Sequence, residues 1–157
     1  MDDLDARLIE LFATEPRVGV LEASRRLGVA RGTVQARLDR LAGSGVVTGW
    51  GPELSPAALG HPVTGFLTLE IRQEPRTGGH QAVADHLAAI PEVLEAHTIT
   101  GAGDLWVRVV ARSNTDLQRV IDAVLAEPRI VRSSTVIALA TQVPYRVLPL
   151  ARAAAAD

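Results

Sequence analysis

The sequence contains no cysteine and no lysine. Without thiols there is no disulfide, no thiol nucleophile and no cysteine-ligated zinc. The four histidines, His61, His80, His86 and His97, show no close metal-ligand spacing, so no metal site is expected. No apolar run approaches the roughly 20 residues that a membrane-spanning helix requires. The opening MDDLDARL is acidic where a secretory signal is basic, so a cytoplasmic chain without a membrane partner is expected. A large excess of one charge is also missing: 16 basic side chains face 18 acidic ones, for a net charge of −2. That excludes a uniformly basic nucleic-acid coat and turns attention to local clusters. All 16 basic residues are Arg, whose planar fork suits bidentate contacts to phosphate and guanine. Nucleophile-base pairs are lacking too, and neither a cofactor nor catalysis is expected.

What is present is an ordinary globular composition, 47% hydrophobic and 22% charged, with 157 residues for one or two domains. VLEASRRLGVARGTVQARLDRLAGSGVV (Val20 to Val47) reads as two short helices around a tight turn, the arrangement of a DNA-reading helix-turn-helix. The first helix covers Leu21 to Leu27 and stops at Gly28, which tolerates a left-handed C-terminus. The second starts near Arg31, with Val34, Leu38 and Leu41 on one buried stripe and Gly32, Thr33, Ala36 and Arg40 turned outward. Gly32 and Ala36 leave a smooth strip on which a backbone can approach a groove. Arg31, Thr33, Gln35, Arg37 and Arg40 supply donors around it. Residues 25 to 40 hold Arg25, Arg26, Arg31, Arg37 and Arg40 against Asp39 alone, a local basic concentration of the kind phosphate binding requires. Base-edge contacts are expected from Arg31, Thr33 and Gln35, and phosphate contacts from Arg37 and Arg40.

Upstream, Leu4, Leu8, Leu11 and Phe12 share one face of a supporting helix over Asp2 to Thr14, with Asp2, Asp3 and Asp5 at the positive end of its dipole. Pro16 ends that helix, completing a three-helix, winged unit over residues 1–50. A linker with six Gly and Pro residues between Gly49 and Pro62 occupies 51–62, with one short extended piece at Val46 to Trp50.

Residues 63–143 alternate strand and helix signals. Strands are expected at Val63 to Arg72, Val93 to Thr100, Leu105 to Arg112 and Val131 to Val143, helices at His80 to Ile90 and from Ser113 or Asn114 to Leu125, and a loop at EPRTGG. The stretch Val83 to Thr100 lies over Val120 to Ile137 at an offset of 37 residues, with Val83/Val120, Asp85/Asp122, Ala89/Ala126, Pro91/Pro128 and Thr98/Thr135 identical. Helix, proline and strand recur in the same order, the mark of a duplicated unit and of a ferredoxin-like βαββαβ plait. Solvated helix faces explain Asp85 and Asp122 better than paired acid-base chemistry. Both helices of such a plait cover one sheet face, and Phe66 and Val110 on the other suggest a partner. Residues 144–157 read as a C-terminal tail. The class is α+β: a helix-turn-helix followed by a plait.

Reader, linker and plait in that order resemble the Lrp/AsnC family of leucine- and asparagine-responsive regulators. The resemblance is carried by LDARLIELF, RLGVARGTVQARLDRLAGSGVV, LSPAALGHPV and IPEVLEAHTITGAGDLWVRVVA. It implies a transcription regulator whose first domain binds double-stranded DNA. The second domain is then expected to assemble homodimers into higher oligomers and to bind a small-molecule effector, an amino acid or related metabolite, between subunits. It also makes the hairpin Thr100, Gly101, Ala102, Gly103 and Asp104 an effector site. Read from the residues alone, that loop is a plain turn in which Gly allows positive φ and Asp bonds nearby N–H groups. Two positions depart from the family pattern. Ala30 stands where a Ser usually caps the recognition helix, a cap typically worth ~1 kcal/mol. In the hairpin, Gly101 is followed by Ala102 and Gly103 rather than by an acidic or polar residue. The rival readings are a ligand-independent architectural DNA-compacting protein and, more distantly, a ferredoxin-like enzyme.

Overall fold

The computed structural model describes residues 1–72 and 79–156 and divides into two compact units, Met1–Glu53 with Val143–Asp157, and Leu54–Gln142. In the first, α1 (Asp3–Thr14), α2 (Val20–Leu27) and α3 (Arg31–Gly43) surround a core of Leu8, Ala23, Val34 and Leu38. Leu4, Leu11, Phe12, Val20, Leu27 and Val29 pack around its rim. α1 begins with a capping box: the Asp2 carboxylate accepts from the Asp5 N–H at 2.9 Å, and Asp5 accepts from the Asp2 N–H at 3.1 Å. α2 ends at Gly28 with φ +68°, the left-handed conformation that a side chain resists. α3 starts at Ala30 in an extended conformation and has no side-chain cap, so the missing Ser is structurally real.

One reading of this unit needs correction. No strand forms at Val46 to Trp50; the segment instead places Trp50 edge-on to Phe12, ring centroids 5.6 Å apart. The C-terminal residues include a short helix. α6 (Leu148–Ala153), with Pro149 in its first turn where a missing N–H costs nothing, packs against α1, and Arg152 pairs with Glu10.

The second unit contains β1 (Val63–Ile71), α4 (Gly79–Ala88), β2 (Val93–Thr98), β3 (Leu105–Ala111), α5 (Asn114–Leu125) and β4 (Ile130–Ile137). The loop expected at EPRTGG lies outside the described residues except for Gly79, which opens α4. The strands form one antiparallel sheet in the order β2-β3-β1-β4, the βαββαβ plait expected. Along β1, the residues Gly65, Leu67, Leu69 and Ile71 are buried and alternate with half-buried Thr64, Phe66, Thr68 and Glu70, the period of two set by the pleat. The buried face meets Val83, Leu87, Leu117, Val120 and Val124 of the helices. Each such side chain contributes about 1.5–3 kcal/mol when removed fully from water.

The duplication is visible in three dimensions. Gln81 donates to Asp85 and Gln118 to Asp122, both at 2.8 Å, which confirms solvated helix positions for the two acids. His86 Nε2 donates to the carbonyl of Ala123 at 2.9 Å, tying the two helices together. β4 stops six residues short of the expected Val143. Gly65 pairs with Ile137, the Ala138 N–H reaches the Thr64 carbonyl at 3.0 Å, and β1 then ends towards Pro62, which has no N–H to offer.

Candidate nucleic-acid interface and ligand loop

α3 presents Arg31, Gly32, Thr33, Gln35, Ala36 and Arg40 at the surface, as its periodicity requires, and buries Val34, Leu38 and Leu41. The electrostatics differ from the count along the sequence. Arg37 Nη1 donates to Asp5 Oδ1 at 3.0 Å and also to Asp2. Arg40 Nη2 lies 2.6 and 2.7 Å from the two oxygens of Asp5, a residue 1% exposed. Arg26 pairs with Glu15 at 2.6 Å and Glu22 at 3.0 Å, and Arg25 with Glu22 at 3.8 Å. Among the described residues, Arg31 is the member of the arginine cluster without a carboxylate partner. The acids that pair with Arg37 and Arg40 come from the start of α1 through packing, beyond the reach of a local charge count, whereas Glu22 is a local partner of Arg25 and Arg26 on α2. Gln35 is also engaged, donating to Asp39 at 2.8 Å.

Asp5 was visible in the sequence only as a first-turn acid. Burial alone pushes its carboxyl upward, but the Asp2 N–H, Arg37 and Arg40 outweigh that and hold it at about 2. Arg37 likewise holds the Asp2 carboxyl below its ordinary range.

In the plait, Gly101 turns the β2-β3 connection with φ +107°. Gly103 passes so close to β1 that a Cβ there would stand 2.4 Å from Thr68 Cγ2. Asp104 stitches this loop to β1: its N–H donates to the Leu69 carbonyl at 2.8 Å, and its Oδ2 accepts from the Ile71 N–H at 2.6 Å. Asp104 is therefore a structural part of the turn. The N–H groups of Gly101, Ala102 and Gly103 make no hydrogen bond among the described residues.

The sheet face opposite α4 and α5 carries Phe66, as the sequence reading placed it, and two rings beside it that the reading did not place there. Phe66 stacks on Trp106 at 5.1 Å, and His97 tilts against the same indole at 5.9 Å. Period two along β3 and β2 was the signal that could have found them. Glu95 and Arg108 flank the rings, 3.5 Å apart. Val110 shares this face by period but is buried, so it does not belong to an exposed patch.

The AsnC-type helix-turn-helix domain family model matches residues 1–42, and the Lrp/AsnC ligand binding domain model matches residues 64–148. The chain belongs to the Lrp/AsnC family. Several known proteins are similar to it along nearly its whole length. The HTH-type transcriptional regulator FL11 of Pyrococcus horikoshii is 26% identical over 96% of this chain and 97% of its own. The structure of Escherichia coli AsnC superposes with a TM-score of 0.83 at 25% identity, covering 95% of this chain and 99% of that one. A Neisseria meningitidis transcriptional regulator, solved as a complex with L-Met, superposes at 0.79 with 20% identity, covering 92% and 93%. This Lrp/AsnC protein is thus a transcriptional regulator with a helix-turn-helix DNA-binding domain and a ligand-binding domain, and its relatives are regulators rather than enzymes. No described helix is long and apolar enough to cross a membrane.

Proposed function

We propose that the chain is a sequence-specific DNA-binding regulator, a homodimer assembling further, whose DNA affinity or oligomeric state responds to an amino acid or a related metabolite. The observation that carries the DNA half is the lean strip of Gly32 and Ala36 beside Arg31, Thr33 and Gln35, exposed along one side of α3. An exposed Arg without a carboxylate partner at the start of a recognition helix is suited to the O6 and N7 of guanine in the major groove. Arg37 and Arg40 contribute to the phosphate backbone through whichever nitrogens Asp5 leaves them.

Support for the effector half comes from the ligand-binding family match and from the L-Met bound by the Neisseria relative. Within this chain, the N–H groups of Gly101, Ala102 and Gly103 are suited to a carboxylate, with Thr100 beside them. Asp104 holds the loop in shape.

Two measurements test the reading. Arg31→Ala is expected to reduce discrimination between operator and random duplex by about 1–3 kcal/mol, with a smaller effect on general affinity. A thermal-shift screen with amino acids is expected to give a hit that also changes sedimentation or DNA affinity. Unchanged DNA binding in Arg31→Ala would remove α3 as the docking helix. Absence of any amino-acid effect would leave an architectural DNA-compacting protein.

A further inference from the structure

The four charged groups at the junction of α1 and α3 are unequal in burial and in bonding. Asp5 is 1% exposed, and each of its oxygens is committed: Oδ1 to Arg37 and Arg40, Oδ2 to Arg40 and the Asp2 N–H. Removing its arginines would strand a buried carboxylate, so this anchorage is retained whatever else binds. The Asp2 side chain is 54% exposed, and only its Oδ2 serves Arg37, because Oδ1 caps the Asp5 N–H. An exposed pair of this kind is weak and salt-screened. Arg37 keeps Nε and Nη2, and Arg40 keeps Nε and Nη1, without a partner among the described residues. Two carboxylates and two guanidiniums leave the cluster neutral, and the free reader conceals two of its cations.

We propose that Asp2 and Asp5 divide the work on the recognition-helix arginines. Buried Asp5 positions Arg37 and Arg40, and exposed Asp2 occupies on Arg37 the place that a DNA phosphate takes on binding. The inference rests on the reading of α3 as the docking helix. A phosphate that spans Nη1 and Nη2 of Arg37 needs the Nη1 position that Asp2 holds and offers more acceptor oxygens than the single Asp2 atom, so a well-placed phosphate displaces Asp2. A loosely docked duplex does not. Asp2 thereby suppresses non-specific binding, while Asp5 keeps both side chains in one rotamer, ready for the backbone.

The test is a double-mutant cycle on a random-sequence duplex at moderate salt, using the full chain. Asp2→Asn keeps an oxygen acceptor at the N-cap and removes the charge; Asp2→Ser, a second neutral N-cap, repeats the test with different geometry. Both are expected to raise affinity about two- to fivefold, the size of an exposed ion pair. The thermal midpoint should fall by no more than a few degrees, the cost of the same exposed pair, and the gain should vanish in an Arg37→Ala background. Asp3→Asn removes a neighbouring charge that pairs with Arg7 instead, at 3.7 Å, and is expected to raise affinity less. A gain that persists in Arg37→Ala, or no gain in either Asp2 variant, overturns the exchange. If Arg31→Ala lowers discrimination between operator and random duplex while the Asp2 variants do nothing, the exchange alone falls. If Arg31→Ala leaves operator binding unchanged as well, the docking reading falls with it.

Discussion

At the scale of single residues, Asp5 holds the reader together from outside the recognition helix. It joins the start of α1 to the middle of α3 through two arginines, and its carboxyl titrates at about 2 in place of the ordinary 3.8. A depressed carboxyl contributes stability that is complete above its unfolded value and is lost as pH falls through the folded one. The helix-turn-helix unit is therefore expected to weaken between about pH 4 and pH 2. Asp5→Asn removes the charge and flattens that dependence. At neutral pH the substitution is expected to cost about 1–3 kcal/mol, held to that range because Arg40 is half exposed and does not become a buried unpaired cation. Urea denaturation followed by tryptophan fluorescence checks it, since Trp50 rests on Phe12 of α1. An Asp5→Asn protein as stable as the parent, with the same acid profile, would refute the role.

At the scale of elements, the hairpin between β2 and β3 shows how a loop can be legible in outline and opaque in purpose. The Gly-rich turn was readable because Gly101 requires positive φ. The roles of Gly103 and Asp104 were not, because both depend on β1, more than thirty residues away in sequence. Gly103→Ala is expected to destabilise the plait by about 1–3 kcal/mol, since the new methyl group must push Thr68 and meets the Leu69 carbonyl at 3.3 Å. The thermal midpoint of the 54–142 unit is the measurement, and an unchanged midpoint would show that the loop yields freely. The same dependence on distant partners shortened β4, whose apolar sequence continues past the point where β1 has bonds to give. By contrast α1, α2 and α3 lay close to their sequence boundaries, because capping acids, Gly28 and Pro16 are local signals.

For the whole molecule, the division into Met1–Glu53 with Val143–Asp157 and Leu54–Gln142 differs from a linear order of reader, linker, plait and tail. A segment comprising residues 54–142 alone retains the sheet, both helices and their core, so it is expected to fold by itself. It is expected to sediment as a dimer through the sheet face bearing Phe66 and Trp106. A strictly monomeric 54–142 across the micromolar range would contradict that assembly. Removing residues 143–157 from the full chain, in the same experiment, is expected to lower the melting of the helical unit alone, because α6 packs on α1.

The sequence by itself determined what local chemistry governs: the three N-terminal helices, the plait with its duplicated helix and strand, the outward strip of α3, and the uncapped Ala30. Periodicity, proline, glycine and capping residues act within a few neighbours, and those neighbours are written side by side in the chain. Tertiary structure alone decided the charge state of the reader. Asp2 and Asp5 come from the start of α1 to neutralise Arg37 and Arg40 on α3, and Glu15 comes from the end of α1 to join Glu22, the local partner of Arg25 and Arg26 on α2, leaving Arg31 as the cation of the cluster without an acidic partner among the described residues. It also decided that Asp104 builds the hairpin and that α6 joins α1. Coulomb forces and hydrogen bonds depend on distance in space, and residues thirty or more positions apart become neighbours only when the chain has packed.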